Sequence, residues 1–474
     1  MRRVVLIALL AALAAGTVGA LAPRGTGSGA PAAASLRLAT PVLSVRRVAD
    51  ALVSHRAETR LRAAVDRVAA DPSLARWVAQ SCLVVQVGAR TLYARRPDQP
   101  VIPASALKLL TAEAAVAVLG PETRLSTVMK ADAAPSGGVV TGDLQVVGGG
   151  DPIIETDARA ARSPRQPVVR TRIEDVAQAL VAAGVRQVTG GVRADEGRYD
   201  RERARPGWKP SYQANGQVGS LSALLVDDGQ GADGKLAPQP ALHFAQVLTD
   251  QLRAQGVQVA GPPSVGAATG AATVATKESL PVRELVAQMV RESDNTTAEL
   301  LVKEMGRTAG GAGTTDAGLA AAKAALATKG LPVGPLAARD GSGLDRADRV
   351  TCSLLLAALV GAGRTSQLAD GLPVAAVSGT LQKRFVNSPV AGRLRAKTGS
   401  LDEVSSLVGW VDPAKAGPPP VAFAVVANGV PKDLDAARLS DRLGVALGTW
   451  PDAPPADAVD PEPPRPVPPR PESP

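Results

Sequence analysis

Three short strings, far apart along the chain, constrain the fold more than any other feature of this sequence. They are Ser105-Ala-Leu-Lys108, Ser293-Asp294-Asn295 and Lys397-Thr398-Gly399. The first lies in an apolar run typical of a helix, the second where one predicted helix meets the next, and the third begins a predicted strand. Each string alone occurs by chance in a chain of 474 residues. The three in this order, and in these settings, predict one shared site.

The three strings together resemble those of the low-molecular-mass class C penicillin-binding proteins, the D-alanyl-D-alanine carboxypeptidase/endopeptidase family with a large insertion between the first two motifs. Longer strings within residues 45–447 share the resemblance: VTGDLQVVGGGDP (140–152), the Gly207-Trp208 stretch ending in LSAL (221–224), RDGSGLDR (339–346) and LPVAAVSGTLQKRF (372–385). The resemblance implies a multidomain α/β fold. A serine β-lactamase/DD-peptidase-like domain has helices flanking an antiparallel sheet, and an α+β domain is inserted into it.

Ser105 and Lys108 are the predicted nucleophile and base. A serine hydroxyl is a weak nucleophile until a base takes its proton. A side chain three residues further along a helix lies on the same face and reaches back to it. Lys108 can be that base if burial and surrounding positive charge keep it neutral. The alternative is an ordinary helix with a lysine that extends to the surface.

The other two strings have predicted roles in proton transfer and substrate binding. Ser293 is expected to relay the proton to the leaving D-alanine amine, and Asn295 to hold the backbone amide of the substrate. Lys397 and Thr398 are expected to bind the terminal carboxylate of the substrate. Gly399 lets the strand backbone approach the bound peptide. The alternatives are a helix cap at Ser293-Asp294-Asn295 and a surface turn at Lys397-Thr398-Gly399.

Further substrate contacts follow from the resemblance alone. It implies an oxyanion hole made by the backbone N–H groups of Ser105 and Ser400. Arg346 matches a family arginine that contacts the free carboxylate of a diaminopimelate side chain, although a capping or salt-bridging role is the alternative.

The family also places an acidic and an aromatic residue shortly after the Gly-Trp pair. Ser211 and Gly216 stand near those places here. This departure weakens the prediction that a free diaminopimelate amine determines specificity. Trp208 either lines the cleft or packs in the interior.

The two ends of the chain differ in composition from the rest. Residues 1–22 have two arginines directly after Met1, continue with an apolar stretch, and predict a signal peptide or an uncleaved membrane anchor. Residues 23–44 predict a flexible linker, and the proline-rich residues 451–474 a disordered tail. Either reading of the first segment predicts export to the cell envelope, as a secreted or a membrane-anchored protein.

The region between the ends is predicted to form two domains. Residues 45–123 and 278–450 form the penicillin-binding DD-peptidase domain, and residues 124–277, with short strands and glycine-rich turns, form the inserted α+β domain. Only about a dozen residues lie between LSALLVDD and the PALHF helix, where larger family members carry a third domain.

Composition excludes several classes of site. The only histidines are His55 and His243, and the only cysteines are Cys82 and Cys352, which excludes a His-rich metal site and a Cys-x-x-Cys zinc site. No metal or cofactor is therefore predicted. The cysteines are expected to form a disulfide or to remain buried thiols. A net charge of +9 favours an anionic neighbourhood, but 2 % aromatic residues provide no stacking platform for nucleic acid.

These features predict a serine-type D-Ala-D-Ala carboxypeptidase or DD-endopeptidase that acts on peptidoglycan peptides through an acyl-enzyme on Ser105. β-Lactam antibiotics are the expected inhibitors. One alternative is a catalytically idle cell-wall-binding scaffold of the same fold. The other is a serine β-lactamase, whose compact fold does not have the spacing of 185 positions from Lys108 to Ser293. The balance of the two peptidase activities and the oligomeric state stay open.

Overall fold

The computed structural model describes residues 45–163, 167–231, 233–415, 417–429 and 437–452. The predictions for residues 1–22 and 23–44, and for all of the tail after Asp452, lie outside these ranges. No helix within them is both long enough and apolar enough to cross a bilayer.

Short and long strands alternate with helices along the chain. The strands are β1 (Ser81–Val87), β2 (Arg90–Arg95), β3 (Ser126–Ala131), β4 (Val139–Val140), β5 (Leu144–Val147), β6 (Ile154–Glu155), β7 (Thr171–Arg172), β8 (Gln187–Val188), β9 (Val192–Asp195), β10 (Gln258–Val259), β11 (Ser264–Val265), β12 (Ala272–Glu278), β13 (Leu394–Leu401), β14 (Val404–Val411) and β15 (Val421–Asn428).

The helices of the described residues range from four to 25 residues in length. They are α1 (Val45–Ala69), α2 (Ala75–Ala79), α3 (Lys108–Leu119), α4 (Asp157–Ala160), α5 (Ile173–Ala182), α6 (Pro210–Ala214), α7 (Pro240–Ala254), α8 (Val282–Glu292), α9 (Asn295–Ala309), α10 (Thr315–Thr328), α11 (Cys352–Ala362), α12 (Gln367–Gly371) and α13 (Arg438–Leu447). The alanine- and leucine-rich α3 ends at Gly120, whose φ of +83° suits a residue without a side chain.

A five-stranded antiparallel sheet brings the two ends of the described chain together. Its order is β13-β14-β15-β1-β2, and β1 pairs with β15. The first two strands form a hairpin, with Gly88 in its turn at φ +57°. Every residue of β14 is buried, including Ser405 and Ser406, so both faces of this strand are covered.

Helices cover both faces of this sheet, as predicted. On one face, α11 packs against the sheet, and α3, α8 and α9 belong to the same core cluster through residues such as Leu109, Met289 and Leu301. On the other face, α1, α2 and α13 pack through Leu61, Trp77 and Leu443. The structure thus confirms an α/β fold whose core is made mainly of Ala, Val and Leu.

A second set of sheets lies between Ser126 and Glu278. A mixed sheet has the order β11-β9-β5-β3-β12, and a parallel one has the order β10-β8-β4. Helices α5 and α7 pack on them through Val176 and Phe244. The segment enters at β3 and leaves at its antiparallel neighbour β12, so its ends lie side by side. This geometry supports our proposal that residues 124–277 are an inserted domain, which packs into one unit with the rest of the described residues after Ala51.

A disulfide joins Cys82 to Cys352, which decides between the two alternatives for these residues. It connects β1 to the first residue of α11, with the Cα atoms 5.9 Å apart. The two cysteines are 270 residues apart in sequence, so the bond closes a loop that contains the whole inserted segment.

Replacing both cysteines by alanine should lower the free energy of unfolding by about 4 kcal/mol, because the unfolded chain loses a long covalent loop. Denaturant unfolding of the oxidised wild type and of the double variant measures the difference. Intact masses with and without reductant provide the control for the bond itself. Equal stability of the two proteins would contradict the expectation.

Candidate active site

The side chains of Ser105 and Lys108 meet at the start of α3. Ser105 lies in a short 3₁₀ turn, Ala104–Leu107, and not in the α-helix itself, which begins at Lys108. The Lys108 side chain is fully buried, and its Nζ lies 3.0 Å from Ser105 Oγ. The same nitrogen donates to Asn295 Oδ1 at 2.5 Å and to the Ser342 carbonyl at 2.7 Å. One amine thus joins three distant parts of the chain.

Burial lowers the pKa of Lys108 to about 8. The charged groups with the largest effect on it are Asp340, Glu299, Asp294 and Asp348, all of which raise this pKa. The expectation of surrounding positive charge is therefore wrong, and loss of solvation alone favours the neutral amine.

Two of these carboxyl groups, those of Glu299 and Asp348, raise the pKa of Lys108 only weakly near neutral pH. Burial raises the pKa of Glu299 to about 8 and that of Asp348 to about 10, with Asp340 adding to both shifts. Both groups are therefore mostly protonated around neutrality and carry little charge. Within the described residues, no cluster of His, Cys, Asp and Glu has the arrangement of a metal site.

The Ser293-Asp294-Asn295 string combines a helix cap with part of the site. Ser293 ends α8 in the left-handed region at φ +59°, a conformation that costs free energy for a residue with a side chain. Asp294 caps α9 by accepting the N–H of Thr297, and Asn295 is the first residue of that helix. Ser293, next to this cap, faces β13, where Lys397 Nζ donates to Ser293 Oγ at 2.8 Å.

Strand β13 supplies the third string. The strand starts at Leu394, so Lys397 lies in its middle and not at its beginning as predicted. Lys397 is fully buried and also donates to the Thr398 carbonyl at 2.8 Å. Thr398 Oγ1 is 2.7 Å from Thr380 Oγ1, and Ser400 is exposed.

Gly399 allows β13 to approach the Ser105 turn. A Cβ atom at this position would lie 2.1 Å from Ser406 Oγ and 3.0 Å from the Ser105 nitrogen. Ser406 Oγ in turn donates to the Pro103 carbonyl at 2.9 Å, which holds the turn against the sheet. Only glycine fits here without displacing these groups, and the backbone near Ser400 therefore comes close to that of Ser105.

Arg346 lies beside the turn that follows β13. Its Nη1 donates to the Asp402 carbonyl at 2.5 Å, and its Nη2 is 3.5 Å from Glu403 Oε2. Lys209 pairs with the Asp402 carboxylate from the inserted segment at 2.5 Å. The salt-bridging alternative for Arg346 is thus seen directly, and its role toward a substrate carboxylate stays a prediction.

The loop at residues 340–343 supports the site and was not predicted from the sequence. Glu299 Oε1 accepts the N–H groups of Gly341 and Ser342, which holds the carbonyl that binds Lys108. Gly343, at φ +83°, lies so close to the Ser105 turn that a Cβ would be 2.0 Å from the Ala104 carbonyl. Two features of the sequence could have indicated this support: the RDGSGLDR string and Glu299, four residues after Asn295 on α9.

Trp208 packs in the interior rather than on an open surface. It is 7 % exposed, lies in a cluster with Tyr199 and Tyr212, and donates from Nε1 to Asp340 Oδ2 at 2.8 Å. The inserted segment therefore helps to hold the loop that supports Lys108.

With this geometry established, comparison with known proteins assigns the family. Residues 61–233 and 235–446 match the D-Ala-D-Ala carboxypeptidase 3 (S13) family. A carboxypeptidase of Mycobacterium tuberculosis is 31 % identical over 364 residues, which cover 73 % of this chain and 75 % of that protein. The chain therefore belongs to the D-Ala-D-Ala carboxypeptidase 3 (S13) family, within the low-molecular-mass class C penicillin-binding proteins.

Two further relatives agree with this assignment. A D-alanyl-D-alanine carboxypeptidase of Actinomadura sp. (strain R39) is 29 % identical over 476 residues, covering 81 % of this chain and 85 % of its own. Among solved structures, penicillin binding protein 4 of Haemophilus influenzae has a TM-score of 0.65 at 20 % identity, covering 78 % of this chain and 95 % of that one. The similarity to penicillin binding protein 4 concerns the fold alone.

The rate of covalent reaction with benzylpenicillin should rise with pH and level off above about pH 8. The pKa of Lys108 lies near 8, so its neutral form becomes the main form as pH increases through that value. Stopped-flow acylation between pH 6 and pH 10 measures the profile. A Lys108→Met variant should lose at least about a hundredfold in rate, and a flat profile in the wild type would contradict this role.

Glu299→Gln should move the midpoint of that profile to lower pH. Glutamine keeps an acceptor for the N–H groups of Gly341 and Ser342 but removes a carboxyl group that ionises near the midpoint of the profile, with a pKa of about 8, and whose charge raises the pKa of Lys108. The matched control is Glu113→Gln, since Glu113 is buried on the same helix as Lys108 but pairs with Lys329. Equal midpoints for all three proteins would exclude the effect of Glu299.

Proposed function

We propose that this chain hydrolyses peptidoglycan peptides at a D-Ala carbonyl, as a serine-type D-Ala-D-Ala carboxypeptidase or DD-endopeptidase, through an acyl-enzyme on Ser105. Family membership supports the reaction class. One observation supports the choice of nucleophile above all others, namely the buried Lys108 amine 3.0 Å from Ser105 Oγ.

The contacts of Lys108 suit a base. A neutral amine has two N–H donors and one lone pair. Asn295 Oδ1 and the Ser342 carbonyl accept the two N–H groups, at 2.5 and 2.7 Å. The lone pair then faces the Ser105 hydroxyl and can take its proton during attack on the carbonyl carbon. In this proposal, Asn295 orients both Lys108 and the substrate.

The remaining steps use groups on α8 and β13. The backbone N–H groups of Ser105 and Ser400 stabilise the developing oxyanion. Ser293, in contact with Lys397 at 2.8 Å, passes a proton to the departing amine. The charge of Lys397 and the hydroxyl of Thr398 bind the carboxylate of the departing residue. Water then hydrolyses the acyl-enzyme and regenerates Ser105.

On the other side of the nucleophile, Arg346 is the proposed partner of a substrate carboxylate. Its side chain is 37 % exposed, and its ion pair with Glu403 is long, at 3.5 Å. Such an exposed pair contributes little free energy, so an incoming carboxylate can replace Glu403 at low cost. β-Lactam antibiotics are the expected covalent inhibitors, because they acylate the same serine.

The protein acts at the cell envelope, and we propose that it is exported there. The disulfide between Cys82 and Cys352 supports an oxidising compartment. Residues 1–22 are proposed to be the signal peptide or membrane anchor, residues 23–44 a linker, and the proline-rich residues 451–474 a spacer.

The two alternatives fit these observations less well. An idle scaffold has no need for Lys108 and Lys397, two fully buried lysines whose desolvation costs free energy. A β-lactamase needs a further base for rapid deacylation, and the family of this chain is a peptidase family.

Intact mass spectrometry with benzylpenicillin tests the proposal. The wild type should gain one long-lived antibiotic adduct, and Ser105→Ala should gain none, because it lacks the attacking oxygen. A Ser400→Ala variant is the control, since it keeps the nucleophile and its backbone N–H. An adduct on Ser105→Ala, or its absence from folded wild type, would refute the role of Ser105, and a short-lived adduct would favour the β-lactamase.

A further inference from the structure

Two buried carboxyl groups, those of Asp340 and Asp348, meet at the loop that supports Lys108. Neither residue is exposed to solvent, and the two side chains are in hydrogen-bond contact. Two ionised carboxylates cannot form a hydrogen bond with each other, because both offer only acceptors. The contact in this acid pair, Asp340 and Asp348, therefore requires a proton on one of the two groups.

Asp340 has the contacts of an acceptor. Its Oδ1 accepts the N–H of Gly343 at 2.7 Å. Its Oδ2 accepts the N–H of Asp345 at 2.7 Å and the indole N–H of Trp208 at 2.8 Å. Both oxygens are thus already bound by N–H donors, and Asp340 suits the role of the partner that receives a further hydrogen bond.

Asp348 has one oxygen that lacks such a donor. Its Oδ1 accepts the N–H of Arg339 at 2.7 Å. No donor among the described residues reaches its Oδ2, which is buried. A charged oxygen that is buried without a donor costs free energy. A proton on Oδ2 removes this cost and also supplies the hydrogen atom for the contact with Asp340.

The charges around the acid pair agree with this placement of the proton. Burial and the charge of Asp340 raise the pKa of Asp348 to about 10. The guanidinium of Arg349, the next residue, donates to the Asp348 backbone carbonyl instead of the carboxyl group. The other ionisable side chains that interact with one or both members of the pair are Asp345 nearby in sequence, Glu299 on α9 and Lys108 on α3.

The acid pair is connected to the proposed base through the 340–343 loop. The Ser342 carbonyl accepts a hydrogen bond from Lys108 Nζ at 2.7 Å, and the next residue, Gly343, donates to Asp340. The position of Asp340 therefore fixes the carbonyl that orients the amine. A second negative charge, on Asp348, would raise the pKa of Lys108 and favour its protonated form, which cannot act as a base.

We propose that Asp348 is a positioning residue, which keeps a proton on Oδ2, donates it in a hydrogen bond to Asp340, and thereby fixes the loop that orients Lys108. The proton stays on Asp348 and is not transferred during the reaction. The effect on acylation rests on the proposed function, whereas the protonation of Asp348 is tested without any substrate.

Counting protons released on unfolding tests whether Asp348 is protonated. Its pKa is raised from 3.8 to about 10 in the folded protein, so between these pH values unfolding releases this proton and rising pH lowers stability. Asp348→Asn keeps an acceptor for Arg339 and an N–H donor for Asp340 but cannot ionise.

Wild type unfolded at pH 7 in weakly buffered denaturant with a pH indicator should release about one proton more than Asp348→Asn. The control is Asp195→Asn, which removes an acid whose two oxygens both accept backbone N–H groups. This variant should release as many protons as wild type.

Benzylpenicillin acylation tests the positioning role. At pH 8, Asp348→Leu should react about tenfold more slowly than wild type, because it cannot donate a hydrogen bond to Asp340. Asp348→Asn should restore the rate to within about twofold of wild type, since its amide replaces the donor. The midpoint of its pH profile should equal that of wild type, because neither protein carries a charge at this position near pH 8.

Three results would overturn the inference. Equal proton release from wild type and Asp348→Asn would show that Asp348 is ionised in the folded protein. A lower midpoint of the pH profile in Asp348→Asn would show the same. Equal losses of rate in folded Asp348→Asn and Asp348→Leu would exclude the hydrogen bond as the support of the loop. If Asp348→Leu does not fold, the two measurements on Asp348→Asn decide.

Failure of folded wild type to react with benzylpenicillin would instead refute the proposed function. The proton count would be unaffected by that failure, so the two failures are distinguishable.

Discussion

The structure depends on one buried amine. Lys108 contacts Ser105 on the turn before α3, Asn295 at the start of α9 and the carbonyl of Ser342 in the 340–343 loop. A charged lysine in this position would pay a large desolvation penalty, which is why its pKa falls to about 8. The surrounding elements accept hydrogen bonds from the Lys108 amine, so their positions are coupled to its protonation.

Close backbone approach is the second constraint. Gly399 and Gly343 bring β13 and the 340–343 loop against the Ser105 turn at distances that a Cβ would prevent. The turn is consequently fixed from two sides while its N–H group remains available. Ser293, in a left-handed conformation, is held by the cap of α9 and by Lys397. Rigidity at these points allows proton transfer over hydrogen-bond distances without rearrangement.

The inserted segment contributes to the site as well as to the size of the protein. Through Trp208 it holds Asp340 and the supporting loop, and through Lys209 it reaches the turn after β13. It also lines a cavity of about 590 Å³ together with residues of the peptidase part, such as Arg291 and Arg395. The insertion therefore helps to position groups around the reaction centre.

The sequence by itself determined the three strings of the site, because motif chemistry is local, and the resemblance that these strings carry implied the α/β class. It did not determine the disulfide, the acidic surroundings of Lys108, the packing of Trp208 or the support by Glu299. Those depend on contacts between residues far apart in sequence, such as Cys82 with Cys352. Only the tertiary structure decided them, because burial and distance, which set pKa values and bonding, arise when the chain is folded.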